Sequence, residues 1–188
     1  MRYICFIGIF LSLSTVFGQN LYSSGFGGLG AGGKLGGKDI YGLIRPYGSI
    51  GYGSNGDENA SGNLFYSGGV QMLFTGGNAL IYGGGGIELA YKRFAQSETL
   101  SGPVDSSYYS SYLIGEVHFI MMNLQIGLGP AIGVGDLSGV NLGLMSAIGF
   151  NLIGREIGFS AMVRGDWVFD TRTAGSVSLM AGVVLPLR

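Results

Sequence analysis

From Tyr41 onward the chain alternates between bulky apolar residues and small or polar ones, in runs of about a dozen positions ended by turn signals. The runs cover 41–53, 63–75, 79–92, 107–121, 123–135, 140–152, 156–169 and 175–187. A period of two places successive side chains on opposite faces of a strand. Eight such runs, each longer than the ~9–11 residues that cross a membrane as a tilted strand, predict eight long strands. The segments between them alternate in kind. "SNGDENASG" (54–62), "AQSETLSGPVDS" (95–106), "DLSG" (136–139) and "DTRTA" (170–174) are polar and mostly acidic. "GGN" (76–78), the step around Asn123 and "GRE" (154–156) are tight turns. Polar loops at one end and short turns at the other predict an up-and-down arrangement with one exposed rim.

The two faces of these runs differ in a way that sets the surroundings of the barrel. In 123–135, Leu124, Ile126, Leu128, Pro130, Ile132 and Val134 oppose Gln125, Gly127, Gly129, Ala131, Gly133 and Gly135. In 140–152, Leu142, Leu144, Ile148, Phe150 and Leu152 oppose Asn141, Gly143, Met145, Ala147, Gly149 and Asn151. In 63–75, Leu64, Tyr66, Val70, Met72 and Phe74 oppose Asn63, Ser67, Gly69 and Gln71. A water-facing surface would carry lysine, glutamate and threonine. The small faces suit the narrow lumen of an eight-stranded barrel, which turns the bulky faces toward lipid. The expected fold is therefore all-β: an eight-stranded antiparallel up-and-down transmembrane β-barrel. A soluble periplasmic barrel, with its faces exchanged, is the competing architecture.

Charges follow the same division. Arg45, Glu88, Lys92, Glu116, Arg164 and Asp166 fall on the small-residue face, and His118 and Glu156 share it. Three basic and three acidic groups inside a narrow lumen point to an ion-pair network, because an unpaired buried charge is strongly disfavoured. The alternative is a selectivity or gating constriction in a small pore. Lipid-facing aromatics gather at two levels. Tyr52, Tyr66, Tyr91, Tyr109, Trp167 and Phe169 lie toward the loops, and Phe74, Phe119, Phe150 and Phe159 toward the turns. Two such belts are the girdles expected at the headgroup levels.

Composition narrows the partners and the compartment. Charged residues make up 11% of the 188 and glycine accounts for 38, while the four prolines and the lack of a G-X-Y period exclude collagen. Met1 and Arg2 precede the apolar run "ICFIGIFLSLSTVF", and "VFG" ends at Gly18. Residues 1–18 read as a secretory signal peptide cut before Gln19, too short for a transmembrane helix. Its removal takes away Cys5, the one cysteine, so neither disulfide nor thiolate chemistry is expected. The remaining chain has no basic stripe, and nucleic acid is not an expected partner.

The chain from 41 to 188 resembles the small bacterial outer-membrane β-barrel proteins, the OmpA/OmpX-like eight-stranded class. The likeness rests on strand count, girdles, loop asymmetry and signal peptide rather than on a short motif. It implies the outer membrane of a Gram-negative bacterium, with outer-membrane lipid and lipopolysaccharide as surroundings. It departs from that class at its end, "VVLPLR", where an aromatic residue is usual. Residues 19–40, Gly-rich, read as a tail or partial lumen filler outside the barrel of 41–188, with a ten-stranded version as the alternative. Pro46 and Pro130 lie within strands and predict bulges.

Sites of chemistry are few. "LIYGGGGIELAYKRF" (80–94) holds four consecutive glycines, but the lysine follows Gly86 by six positions and the flanks keep a strand period. It is not the phosphate loop G-x-x-x-x-G-K-[ST], and its glycines are read as shaping the wall. The class includes enzymes acting on lipid A, yet "GEVHFIMM" around His118 offers no serine nearby. No ligand cluster for a metal stands out, so neither metal nor cofactor is expected. The loop acids Asp57, Glu58, Glu98, Asp105, Asp136 and Asp170 read as a solvated rim. Loops 54–62 and 95–106 are the expected contact with an extracellular or envelope protein partner, and "DSSYYSSY" (105–112) is either such a surface or an extended strand. The reading is non-enzymatic, structural or interactional; a narrow porin-like conduit is the alternative, and a lipid A-modifying enzyme a third.

Overall fold

The structure, a computed structural model, describes residues 34–35, 38–53, 63–77, 81–94, 97–99, 102–104, 107–119, 122–134, 139–152, 157–169 and 174–187. Residues 1–18, where a signal peptide is expected, the expected loop 54–62 and Glu156 lie outside the described residues.

Eight long strands form the wall: β1 (Lys38–Gly53), β2 (Asn63–Gly77), β3 (Ile81–Phe94), β4 (Ser107–Phe119), β5 (Met122–Val134), β6 (Gly139–Leu152), β7 (Gly158–Phe169) and β8 (Ala174–Leu187). Each pairs antiparallel with the next in sequence, and β8 pairs antiparallel with β1, which closes the sheet. Closure leaves no strand of the wall with a free edge. Strand β1 begins at Lys38, three residues before the expected start, and Lys34–Leu35 pairs back onto it. Within the expected loop 95–106, Ser97–Thr99 and Gly102–Val104 pair as a small hairpin.

Register gives the tilt. The row of directly opposed residues that leaves β6 at Val140 runs through Ile132, Tyr109, Tyr91, Gly68, Gly48, Ala181 and Ala161, and returns to β6 at Phe150, ten residues further along. A stagger of ten residues over eight strands, at ~3.4 Å per residue and ~4.8 Å between strands, tilts the strands roughly 40° from the barrel axis.

The expected bulges are absent. Every ladder of the wall keeps one register throughout, including those through Pro46 and Pro130. Each proline instead interrupts one ladder: β1–β8 between Ile44 and Tyr47, and β4–β5 between Ser110 and Leu113. A missing N–H faces only one neighbour, so pairing with the other strand, Pro46 with Val70 and Pro130 with Leu142, is intact. The cost is a local gap, not an extra residue.

Bulky apolar residues stand exposed on the outward face of every strand; Leu113 is 72% exposed and Leu179 66%. The inward face is not uniformly small. Leu43, Leu73, Tyr112, Ile114, Met145, Met162, Met180 and Val184 bury an apolar sector within the lumen. Phe65, Phe94, Tyr108, Ala131 and Val168 form a second buried cluster at the loop end. The glycines of β3 leave room for close packing against β2. A Cβ on Gly84 would meet the backbone of Phe74 and Thr75, and one on Gly86 the backbone of Met72 and Leu73. Only glycine allows β2 and β3 to approach so closely there.

Candidate functional site

Inward positions on six strands bring Arg45 (β1), Gln71 (β2), Glu88 and Lys92 (β3), Glu116 and His118 (β4), Asn123 and Gln125 (β5), and Arg164 and Asp166 (β7) into the lumen. All are buried, and Arg45, Gln71, Glu88, His118 and Asn123 have no exposed surface.

The half nearer the loops is organised by Arg164. Its Nη2 donates to Glu88 Oε1 at 2.7 Å and to Asp166 Oδ1 at 2.7 Å; Nη1 donates to Glu88 Oε2 at 2.8 Å and to the Tyr47 hydroxyl at 2.8 Å; Nε donates to Asp166 Oδ1 at 2.9 Å. The planar fork of the guanidinium suits this double carboxylate grip. Lys92 Nζ completes the group by donating to Asp166 Oδ2 at 2.9 Å and to Ser176 Oγ at 2.6 Å. Above it, Nζ lies 4.2 Å from the ring centroid of Phe65 and 5.3 Å from that of Tyr108. The loop-end cluster is thus an aromatic lid over a cation, held by apolar burial and by attraction to the ring faces. Phe65 and Phe94 stand 5.5 Å apart, and Phe94 and Tyr108 6.3 Å.

The half nearer the turns centres on Glu116. Arg45 Nη2 lies 3.5 Å from Glu116 Oε2 and His118 Nε2 3.0 Å from Oε1. Gln125 Nε2 donates to Oε2 at 2.9 Å and Asn123 Nδ2 at 3.3 Å. Asn151, with its amide turned to meet its neighbours' donors, accepts from Arg45 Nη2 at 2.7 Å and from Asn123 at 2.8 Å. Gln71 joins the halves. It accepts from Arg45 Nη1 at 2.7 Å and donates to Glu88 Oε2 at 2.6 Å. One connected system of hydrogen bonds and ion pairs therefore runs from Ser176 beneath the lid to His118 near the turns.

All six charged residues singled out in the sequence sit in this system, together with His118. The neutral members Tyr47, Gln71, Asn123, Gln125, Asn151 and Ser176 were not singled out. Their signal was strand parity: Gln71 and Gln125 share the inward face with their charged neighbours. The stretch 105–112 is wall from Ser107 onward, with Tyr108 and Tyr112 buried inside and Tyr109 outside. The ten aromatics of the two belts all lie on outward positions. Tyr52, Tyr66, Tyr109, Phe169, Phe74, Phe119 and Phe159 are exposed; Tyr91, Trp167 and Phe150 are partly covered. Tyr91 and Tyr109 pair across strands with ring centroids 4.9 Å apart, and the Trp167 ring lies over Gly165 and beside Gly175. Among the described residues, no group of three or more His, Cys, Asp or Glu is placed to hold a metal ion.

No protein-family model and no curated protein matches the chain. Solved structures do. Neisserial surface protein A superposes with a TM-score of 0.51 at 14% identity, over 77% of this chain and 96% of its own. The Yersinia pestis outer membrane protein Ail, in a phospholipid bilayer nanodisc, gives 0.46 at 18% identity, over 76% and 99%. At these identities the likeness concerns the path of the backbone. The chain has the fold of the small eight-stranded outer-membrane barrels.

Proposed function

We propose that this chain is an exported, non-enzymatic barrel of the bacterial outer membrane, with its lumen held shut by the charged network. Its role is structural, or is exercised through loops 54–62 and 95–106 toward a partner outside the cell. The observation that carries the reading is the pairing of two opposites in one wall. Outside, Leu, Ile, Val and aromatic side chains stand exposed on every strand, a surface that water would not tolerate at this extent and hydrocarbon would. Inside, charges of both signs are buried and joined into one network beneath an aromatic lid. A conduit for solutes would have to part several of these bonds at once. His118 supports the non-enzymatic reading, because it is buried against Glu116 near the turn end, far from a substrate in the leaflet at the loops.

The test is fractionation of cells expressing the full chain, followed by electrophoresis with and without heating. Recovery in outer membranes, with a mobility that shifts on boiling, is expected. Release as a soluble protein without detergent overturns the membrane reading. Lipid A mass spectra identical with and without the protein are expected of a non-enzyme, and a modified lipid A would end that part.

A further inference from the structure

Lys92 is the one buried lysine among the described side chains. Its Nζ donates to Asp166 Oδ2 at 2.9 Å and to Ser176 Oγ at 2.6 Å, and the rings of Phe65 and Tyr108 cover it. The Lys92 and Asp166 side chains are 4% and 1% exposed. They come from β3 and β7, four strands apart in the ring of eight, and 74 residues separate them in sequence. Unlike the guanidinium of Arg45 or Arg164, which keeps its charge, a lysine amine is a nucleophile toward carbonyl carbon once it is neutral.

The carboxyl group facing it is held from the other side. Arg164 donates to Asp166 Oδ1 from Nε at 2.9 Å and from Nη2 at 2.7 Å, and Nε also reaches Oδ2 at 3.0 Å. Two fixed donors thus point at the oxygen that carries charge when Cγ becomes tetrahedral. Glu88 takes the rest of the guanidinium, its Oε1 accepting from Nη2 at 2.7 Å and its Oε2 from Nη1 at 2.8 Å. Arg164 with Glu88 is one neutral pair, and Lys92 with Asp166 is a second. Removing both charges of the second pair strands no charge in the lumen. It also removes two ions that are costly to keep away from water.

We propose that Lys92 and Asp166 condense into an intramolecular isopeptide bond, a covalent strut across the lumen. Lys92 Nζ gives one proton to Asp166 Oδ2 along their hydrogen bond, leaving a neutral amine beside a neutral carboxyl group. The amine lone pair attacks Cγ, and the carbonyl electron pair moves onto Oδ1, where the Arg164 donors lie. A second amine proton passes to Oδ2, the Cγ–Oδ2 bond breaks with its electron pair, and one water leaves. Nothing is oxidised or reduced, and no further reactant is needed. Groups held in contact by a fold react as if at concentrations of about 10⁵–10⁸ M, and the aromatic lid keeps bulk water from reversing the step. The bond requires the closed barrel and is independent of what surrounds it.

The experiment is mass spectrometry of the full chain, purified folded and then denatured, both intact and after trypsin. Wild type is expected to weigh one water less than its sequence requires, and its digest to hold a branched peptide containing both Lys92 and Asp166. Lys92→Arg keeps the charge but not the nucleophile. It should regain the water and, after boiling, run behind wild type in electrophoresis, because wild type stays tied across 74 residues. Asp166→Asn should yield the same branched peptide with ammonia lost in place of water, a result that no ion pair produces. Folded wild type at its full sequence mass, with no branched peptide, overturns the proposal. So does a lost water that maps to β7 alone, as a succinimide at Asp166. Should Lys92→Arg fail to fold, the wild-type mass and the branched peptide still decide.

Discussion

Arg164 and Glu88 meet at 2.7 Å across the lumen, although 76 residues separate them in sequence. Their strands, β7 and β3, stand four apart in a ring of eight and so lie on opposite walls. Lys92 and Asp166 join the same two walls at 2.9 Å. These pairs are struts across a diameter, and their worth depends on both ends being present.

Removing one end leaves a buried carboxylate without its cation. Arg164→Met should destabilise the barrel by about 3–5 kcal/mol, read as a lower midpoint of urea unfolding in detergent. Adding Glu88→Gln restores neutrality in the lumen, since Asp166 keeps Lys92, and should recover a good part of the loss. A double variant as unstable as the sum of both singles would show that the two residues are not coupled.

The closed lumen predicts electrical silence. Wild type in a planar bilayer should show no steady conductance, because the network and the lid of Phe65, Phe94 and Tyr108 leave ions no polar path. Steady open-channel currents would sink that reading and favour the narrow conduit.

Charge on the outer wall should cost most at mid-strand. Leu128→Arg, at the centre of β5, should destabilise by about 2–4 kcal/mol, and Val134→Arg, at its loop end, by about 0–1 kcal/mol. Both residues are half exposed on the same face, so depth is the variable. Unfolding in lipid vesicles measures the difference; equal costs would count against a membrane around β5.

The wall glycines should divide into two classes. Gly86→Ala drives a methyl into the Met72 carbonyl and the Leu73 backbone, and should cost about 1–3 kcal/mol, as overpacking does. Gly48→Ala meets nothing closer than ordinary contact and should be neutral or mildly stabilising. The same unfolding titration ranks them.

Much of this architecture was legible because a two-residue period leaves little freedom once one face is assigned. The eight runs, the inward placing of Arg45, Glu88, Lys92, Glu116, Arg164 and Asp166, and the outward belts all follow from parity. What parity cannot give is which inward groups touch, since that depends on shear. Lys92 meets Asp166, 74 residues away, only because the sheet closes with a stagger of ten. The apolar sector was hidden for another reason. Leu73 shares parity with Gln71, and Phe65 with Ser67, but a bulky residue next to a bulky lipid-facing one reads as a break in alternation. The prolines misled because a lost donor can be left as a gap facing one neighbour, as at Pro46, without shifting register.

The seam between β8 and β1 has a kinetic meaning. Gly53 pairs with Ser176 and Gly42 with Leu187, so the first strand made must wait for the last. Long-range pairing of this kind is slow, because the loop-closure entropy must be overcome before any contact rewards it. The struts between β3 and β7 tighten only when the ring is shut. A half-made ring would expose both raw edges and unpaired lumen charges, so assembly should proceed as one concerted event, with no stable intermediate of four or six strands.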